Sequence, residues 1–386
     1  MSDRAKAAAR AVVDREAGGL IALSHRLHAH PELGFEEERA CAWLAEELTS
    51  HGFAVRTGVC DLPTAFVATA GSGPLVVGVC AEYDALPGIG HACGHNVIAA
   101  SAVAAGAALA RVADDLGITV KVLGTPAEEN GGGKVLMIER GAFDDVNLAM
   151  MVHPAPRERL DPPVLARAQL HVEYEGRPAH ASACPEDGIN AADAFTVAQV
   201  AIGLLRQHVP GDQRIHGIVT DGGQAPNIVP AHTAADYYVR AGTLAELSVL
   251  EGRVRACFQA GAVATGAALS ITSASPAYSE FRHDAPLLDY YRRNAVALGR
   301  TFPDVTPADE RTAASTDMAN VSLAVPSIQP LVSIGSGSAG QHQAEFAAFA
   351  VRPAADRALL DGGTAMAWTV IDVALDAGQR DRLIRG

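Results

Sequence analysis

Positive charge is scarce in this chain. Thirty Lys and Arg stand against 44 Asp and Glu, a formal net charge of −14. Phosphate contacts need clustered cations, so no nucleic-acid partner is expected. The acidic surface serves solubility. Long apolar runs are missing too. No window approaches the roughly 20 apolar residues of a bilayer span, so no membrane partner is expected. The opening segment, MSDRAKAAARAVVDREAGG, is charged and helical in character. It lacks the apolar stretch and cleavage site of a signal peptide. Cysteine is sparse and scattered, at positions 41, 60, 80, 93, 184 and 257. There is no CxxC pair and no second ligand pair of a zinc finger. Six such thiols read as those of a cytoplasmic protein rather than as a disulfide framework.

What is present is a chain of 386 residues, 49% hydrophobic, long enough for about two domains. Helical spacing runs over 14–51, with Gly52 as a stop. PLVVGVC (74–80), ITVKVLG (118–124) and VNLAMMV (146–152) read as buried strands, separated by helices over 96–117 and 133–143. That alternation predicts an α/β fold, a mixed, mostly parallel sheet with helices on both faces. From about 165 to 276 the texture changes to β-α-β-β-α-β, the ferredoxin-like order. The α/β texture then resumes with a helix near 285–299, the run SIQPLVSIG (327–335) and a long helix over 358–378. The predicted organisation is a catalytic domain, 1–164 with 277–386, interrupted by an α+β insertion, 165–276.

Each buried strand ends in a potential metal ligand. Glu82 and Asp84 follow the first, Glu128 and Glu129 the second, His153 the third, and His342 the run at 327–335. Open α/β sheets bind ligands at the carboxyl ends of their strands. Cys93 and His95, in IGHACGHNVIAA, precede the Ala/Val helix on the same edge. Taken singly, Cys93 reads as a small buried hydrophobe, His153 as a loop histidine and the adjacent glutamates as a solvated turn. Their convergence on one edge points to a metal site. The three histidines of HRLHAHPELGFEEE read as structural. Two motifs mislead. GSGSAG (335–340) fits a dinucleotide fingerprint, but too little chain follows it for such a half-domain. NGGGK (130–134) resembles a phosphate loop, yet Glu128 and Glu129 beside it would repel phosphate.

The motifs HAHPELGFEEE, AEYDALPGIGHACGHN, GTPAEENGGGK, VHP, GRPAHAS, PNIVP and STDMANVS, in this order over about 20–350, resemble the M20 family of metallopeptidases and amidohydrolases. The chain is most similar to the aminoacylase-like branch with a cysteine ligand, and within it to p-aminobenzoyl-glutamate hydrolase and β-alanyl (Xaa-Arg) dipeptidase-like members. The resemblance implies two divalent metal ions per subunit, held by Cys93, His95, Glu129, His153 and His342, with Cys93 bridging. Thiolate, imidazole and carboxylate suit zinc, with Mn or Co as alternatives. Cys93 is expected as thiolate, favoured by a helix N-terminus and the cation. The resemblance also implies Glu128 as general base, Asp84 as orienter of a ligand histidine, His180 as an oxyanion-stabilising lid residue supplied by the other subunit, and Asn227 and Arg240 facing substrate. The insertion is then a lid and dimerisation domain of a homodimer, with LHVEYEG and HTAADYYVR giving the edge for symmetric pairing. Two departures concern Asn96, where many relatives have Asp, and Gln343, where many have a hydroxyl residue. The implied activity is hydrolysis of an amide in a small dipeptide or N-acyl amino acid. Alternatives are a broad N-acyl-amino-acid aminoacylase and a non-catalytic metal-binding homologue.

Overall fold

Alternation along the central strands decides the layers. In the computed structural model, which describes residues 1–306 and 313–385, the strands in chain order are β1 (Ala54–Thr57), β2 (Phe66–Gly71), β3 (Leu75–Ala81), β4 (Ile118–Gly124), β5 (Leu148–Met150), β6 (His153–Ala155), β7 (Ala166–Glu175), β8 (Arg214–Asp221), β9 (His232–Ala241), β10 (Ala268–Ser273), β11 (Ser327–Ile328) and β12 (Leu331–Ser333). Contacts divide the chain into two compact units, Met1–Pro163 with Phe281–Gly386, and Val164–Glu280.

The first unit is built on a six-stranded sheet of order β1-β2-β4-β3-β5-β11. β4, β3, β5 and β11 are parallel, while β1 and β2 are antiparallel additions. On β3, Leu75, Val77, Val79 and Ala81 enter one apolar cluster, and Val76 and Cys80 enter another. A strand covered on both faces must be apolar nearly throughout, which is why β3 lacks polar alternation, whereas β4 alternates through Thr119 and Lys121. The helix His95–Ala110 is buried from His95 to Leu109 and packs against the helices Ser2–Ala29 and Pro353–Leu375. Its small residues set the approach distance. A Cβ on Gly106 would lie 2.6 Å from Val122 Cγ2, and one on Gly363 would lie 2.6 Å from Ala104 Cβ. Pro353–Leu375 corrects one expectation. By length and composition it is long and apolar enough to cross a bilayer, yet here most of it is buried within the core.

Two continuous readings break at prolines. The helical pattern over 14–51 divides into Ser2–Ala29 and Glu38–Ser50. His30, before Pro31, leaves the helical region at φ −133°, as the clash with a following proline ring requires. The run 327–335 divides at Pro330 into β11 and β12, and β12 pairs in parallel with β6 in a separate two-stranded sheet.

The second unit has the order β7, helix Ala191–Arg206, β8, β9, helix Leu244–Thr265, β10. Asn190 caps the first helix, and Thr243 with Glu246 forms a capping box on the second. The sheet order is β10-β7-β9-β8, antiparallel throughout. This overturns the expected pairing edge. LHVEYEG and HTAADYYVR lie in β7 and β9, whose ladders are occupied on both sides. The edges are β8 and β10.

Candidate metal centre

β3, β4 and β5 run parallel, so the residues that follow them emerge on one edge. Glu82 and Asp84 come from β3, Glu128 and Glu129 from β4, and His153 opens β6 just after β5. His342 follows β12 and has a left-handed backbone, φ +64°. Cys93 and His95 flank Gly94, the N-cap of His95–Ala110. Gly94 has φ +81°, and a Cβ there would lie 2.5 Å from Pro154 Cγ, so both conformation and space require glycine.

The structure brings the five candidate ligands selected from the sequence into two overlapping sets. Ligand atoms of Cys93, His95 and His153 lie within 4.8 Å of one another, and so do those of Cys93, Glu129 and His342. Cys93 is common to both. Its Sγ is 3.6 Å from His153 Nε2, and Glu129 Oε2 is 3.3 Å from His342 Nε2. A third set joins Glu82, His95 and Glu128.

The surrounding hydrogen bonds orient the donors. His95 Nδ1 lies 2.9 Å from both the Asp84 carboxylate and the Asp84 carbonyl, which turns Nε2 to the cluster. His153 Nδ1 donates to Pro154 O at 2.9 Å, which leaves its Nε2 lone pair toward Cys93. His95 Nε2 and Glu129 Oε1 are buried without a hydrogen-bond partner. Buried polar atoms left over in this way, with the other imidazole nitrogen already engaged, fit a metal ion. Burial, then the Glu129 charge, pushes the Cys93 thiol well up. The expected thiolate would thus draw on a bound cation as well as on the helix N-terminus. Burial pulls His153 down to about 4, so its imidazole is neutral and able to ligate. Burial alone would raise the Asp84 carboxyl, but His95 and the Glu129 N–H hold it below its usual range.

Glu128 and Glu129 diverge. Glu129 belongs with Cys93 and His342, whereas Glu128 belongs with Glu82 and His95. The Glu128 carboxyl is pushed well up, first by burial and then by the charges of Glu82, Glu129 and Asp317. The turn that presents both carries Ala127 at φ +55°. Glu37, not singled out from the sequence, holds this turn. Its Oε1 accepts the Ala127 N–H at 2.7 Å and its Oε2 accepts the Thr64 hydroxyl at 2.9 Å. Burial, then Asp84, raises Glu37 to about 7. Asp84 Oδ2 takes the Glu129 N–H at 3.0 Å. Lys134 was likewise missed. Its buried ammonium lies 2.5 Å from Glu82 Oε1 and 2.8 Å from Asp317 Oδ1. NGGGK therefore spends its lysine on two carboxylates rather than on phosphate. The only signal for it was Glu82, a strand-end carboxylate in need of a cation.

The two departures are accounted for locally. Asn96 Nδ2 donates to Ser24 Oγ at 2.9 Å and Ala350 O at 3.0 Å, and Gln343 Oε1 accepts the Gly340 N–H at 3.1 Å. The N-terminal histidines lie outside the ligand sets. His25 contacts Asp356, His28 the Ala347 carbonyl and His30 the Arg26 carbonyl.

His180, Asn227 and Arg240 belong to the second unit and to none of these sets. His180 is exposed and bridges Ile228, and the Ala181 N–H donates to Asn227 O at 3.0 Å. His180 Nδ1 accepts the Ser182 and Ala183 N–H groups at 3.3 Å each, which makes Nε2 the protonated nitrogen. Asn227 is exposed. Arg240 Nε donates to His216 Nε2 at 3.4 Å, and its guanidinium lies over the Tyr238 ring.

The model of Peptidase family M20/M25/M40 matches residues 78–357. Over 376 residues the chain is 39% identical to the Xaa-Arg dipeptidase of Mus musculus, covering 94% of this chain and 87% of that protein. Over 380 residues it is 36% identical to the Xaa-Arg dipeptidase of Homo sapiens, again covering 94% and 87%. Over 268 residues it is 34% identical to a p-aminobenzoyl-glutamate hydrolase chain of Escherichia coli (strain K12), covering 64% and 54%. Among solved structures, a dinuclear metal-binding peptidase from the M20 family in Bacillus subtilis shares the fold, with a TM-score of 0.68, 19% identity and coverage of 93% and 99%.

Proposed function

The chain belongs to Peptidase family M20/M25/M40, and from that premise we propose that it is a metal-dependent hydrolase of the amide bond in a small dipeptide or N-acyl amino acid. The observation that carries this reading is Cys93, common to two ligand sets, with Glu128 beside them and outside both. In this reading Cys93, His95, Glu129, His153 and His342 hold two divalent ions, zinc first and Mn or Co next. When bound, the pair would lower the pKa of water to about 7 and polarise the scissile carbonyl.

The chain's own groups do the rest. Glu128, whose environment raises its proton affinity, takes the proton of the attacking water and delivers it to the departing amine nitrogen. Asp84 fixes the His95 tautomer. His180 offers an Nε2–H to the developing oxyanion, and Asn227 and Arg240 contact substrate. The leaving amino acid carries a free carboxylate. An aminoacylase of broad acyl range is the runner-up, distinguished by which acyl groups are accepted. A non-catalytic metal-binding role is opposed by the intact Glu128.

The test is a screen of dipeptides and N-acyl amino acids on metal-loaded protein, with amine release as the readout. Hydrolysis of at least one class is expected. Absence of turnover across the panel, with metal content verified, would contradict the reading.

A further inference from the structure

The second unit holds a buried cation that the chemistry above does not use. Arg167, near the start of β7, is 5% exposed. Its backbone is fixed on both sides. It exchanges two 2.9 Å hydrogen bonds with Tyr278, and it stands opposite Arg240 in the β7–β9 ladder. Its guanidinium lies 3.9 Å from the Tyr278 ring centroid and 4.9 Å from that of Tyr238. Such stacking fixes the guanidinium in place but cannot satisfy the N–H donors in its plane.

Nε and Nη2 of Arg167 are buried and have no hydrogen-bond partner. The choice of nitrogens is informative. Their N–H bonds run parallel along one edge of the planar fork, the edge that receives both oxygens of a carboxylate. A buried charged donor left unpaired is destabilising. The neighbouring arginine adds to the cost, because like charges directly opposite on adjacent strands repel. Arg240 registers this, held below its ordinary range by burial and then by Arg167. Gln169, two residues along the same face of β7, has a buried Oε1 that also lacks a partner. A two-donor fork next to a lone acceptor matches a carboxylate next to an amide N–H. That pairing is what the C-terminal residue of a dipeptide or an N-acyl amino acid presents.

We propose that Arg167 is a carboxylate-binding residue for the substrate: its Nε–Nη2 edge grips the free carboxylate of the residue to be released, and Gln169 accepts the adjacent N–H. The proposal rests on the amide-hydrolase reading and gives the carboxylate to Arg167, leaving Arg240 as a residue that faces the rest of the substrate.

The test compares the best substrate with its C-terminal carboxamide in the metal-loaded wild type, Arg167→Met and Arg167→Lys. The wild type is expected to prefer the acid by about 10- to 100-fold in kcat/KM, the range of a charge-assisted pair. Arg167→Met should bring that ratio close to one, chiefly through a raised KM for the acid, with the carboxamide little affected. Arg167→Lys should retain part of the preference. Equal loss on both substrates would make Arg167 structural and overturn the proposal. A binding arm is independent of turnover: calorimetric titration of N-acetylalanine and N-acetylalaninamide. Tighter binding of the acid, lost in Arg167→Met, supports the proposal even if nothing is hydrolysed, and the fault then lies with the hydrolase reading. Hydrolysis with an acid-to-amide ratio unmoved by Arg167→Met overturns the Arg167 assignment alone. Neither turnover nor acid-selective binding overturns both.

Discussion

Two adjacent glutamates with different surroundings should fail in different ways. Glu129 is grouped with Cys93 and His342, whereas burial and then neighbouring carboxylates raise the proton affinity of Glu128. Glu128→Gln keeps shape and removes the base. It should retain metal and lose about 10²–10⁴ in kcat. Glu129→Gln should weaken metal binding, and its activity should recover in part at high metal concentration. Metal content and rate on both variants check this; equal metal loss in the two would mean that the roles are misassigned. Residue identity carried much of this site. Cys93, His95, His153 and His342 were visible as chemically distinctive residues placed after strands. Glu37 and Lys134 were not. Glu37 reaches a turn 90 positions away, and Lys134 pairs with Asp317 across 183. No local pattern encodes contacts of that range.

The element that presents the two glutamates is a strained turn, with Ala127 in the left-handed region. Such a conformation persists only where neighbouring groups over-determine it. Here Glu37 takes the Ala127 N–H and Asp84 takes the Glu129 N–H. A Cβ on Gly34 would lie 2.9 Å from Ala127 Cβ, so the preceding loop packs directly on the turn. Glu37→Ala should therefore destabilise the protein by about 1–3 kcal/mol, the cost of a buried donor left unmade, and reduce kcat. Glu37→Gln keeps an acceptor for that N–H and should retain most of both. Denaturant unfolding with parallel kinetics checks the pair; an Ala variant as stable and active as wild type would remove Glu37 from the account. At this scale the sequence was legible where periodicity was long. β4 and the β-α-β-β-α-β order were read directly. β1 and β2 were not: β1 is a four-residue, mostly exposed edge strand with little apolar signal, β2 is a six-residue run of mixed burial, and the edges of the second sheet were misread because strand order depends on pairing, not pattern.

For the whole molecule, pairing through the second unit is a proposal that the sheet order redirects to β8. That edge strand exposes nearly all its residues, including Ile218 at 67% and Val219 at 42%, and an open apolar edge invites a second strand. If His180 serves the partner's site, mixing inactive His180→Ala with inactive Glu128→Gln under subunit exchange should restore one working site per mixed dimer. Demonstrated heterodimers without activity would place His180 in its own subunit's chemistry or in structure alone. The central claim is that five side chains, Cys93 and the four grouped with it, hold a pair of ions on which amide hydrolysis depends. Its most direct test is to strip the protein with chelator, verify the metal-free state by elemental analysis, and titrate a divalent metal while following amine release. Activity should vanish on stripping and return with a break near two ions per chain, whereas full hydrolysis by the metal-free protein, or complete recovery at one ion per chain, would contradict the claim.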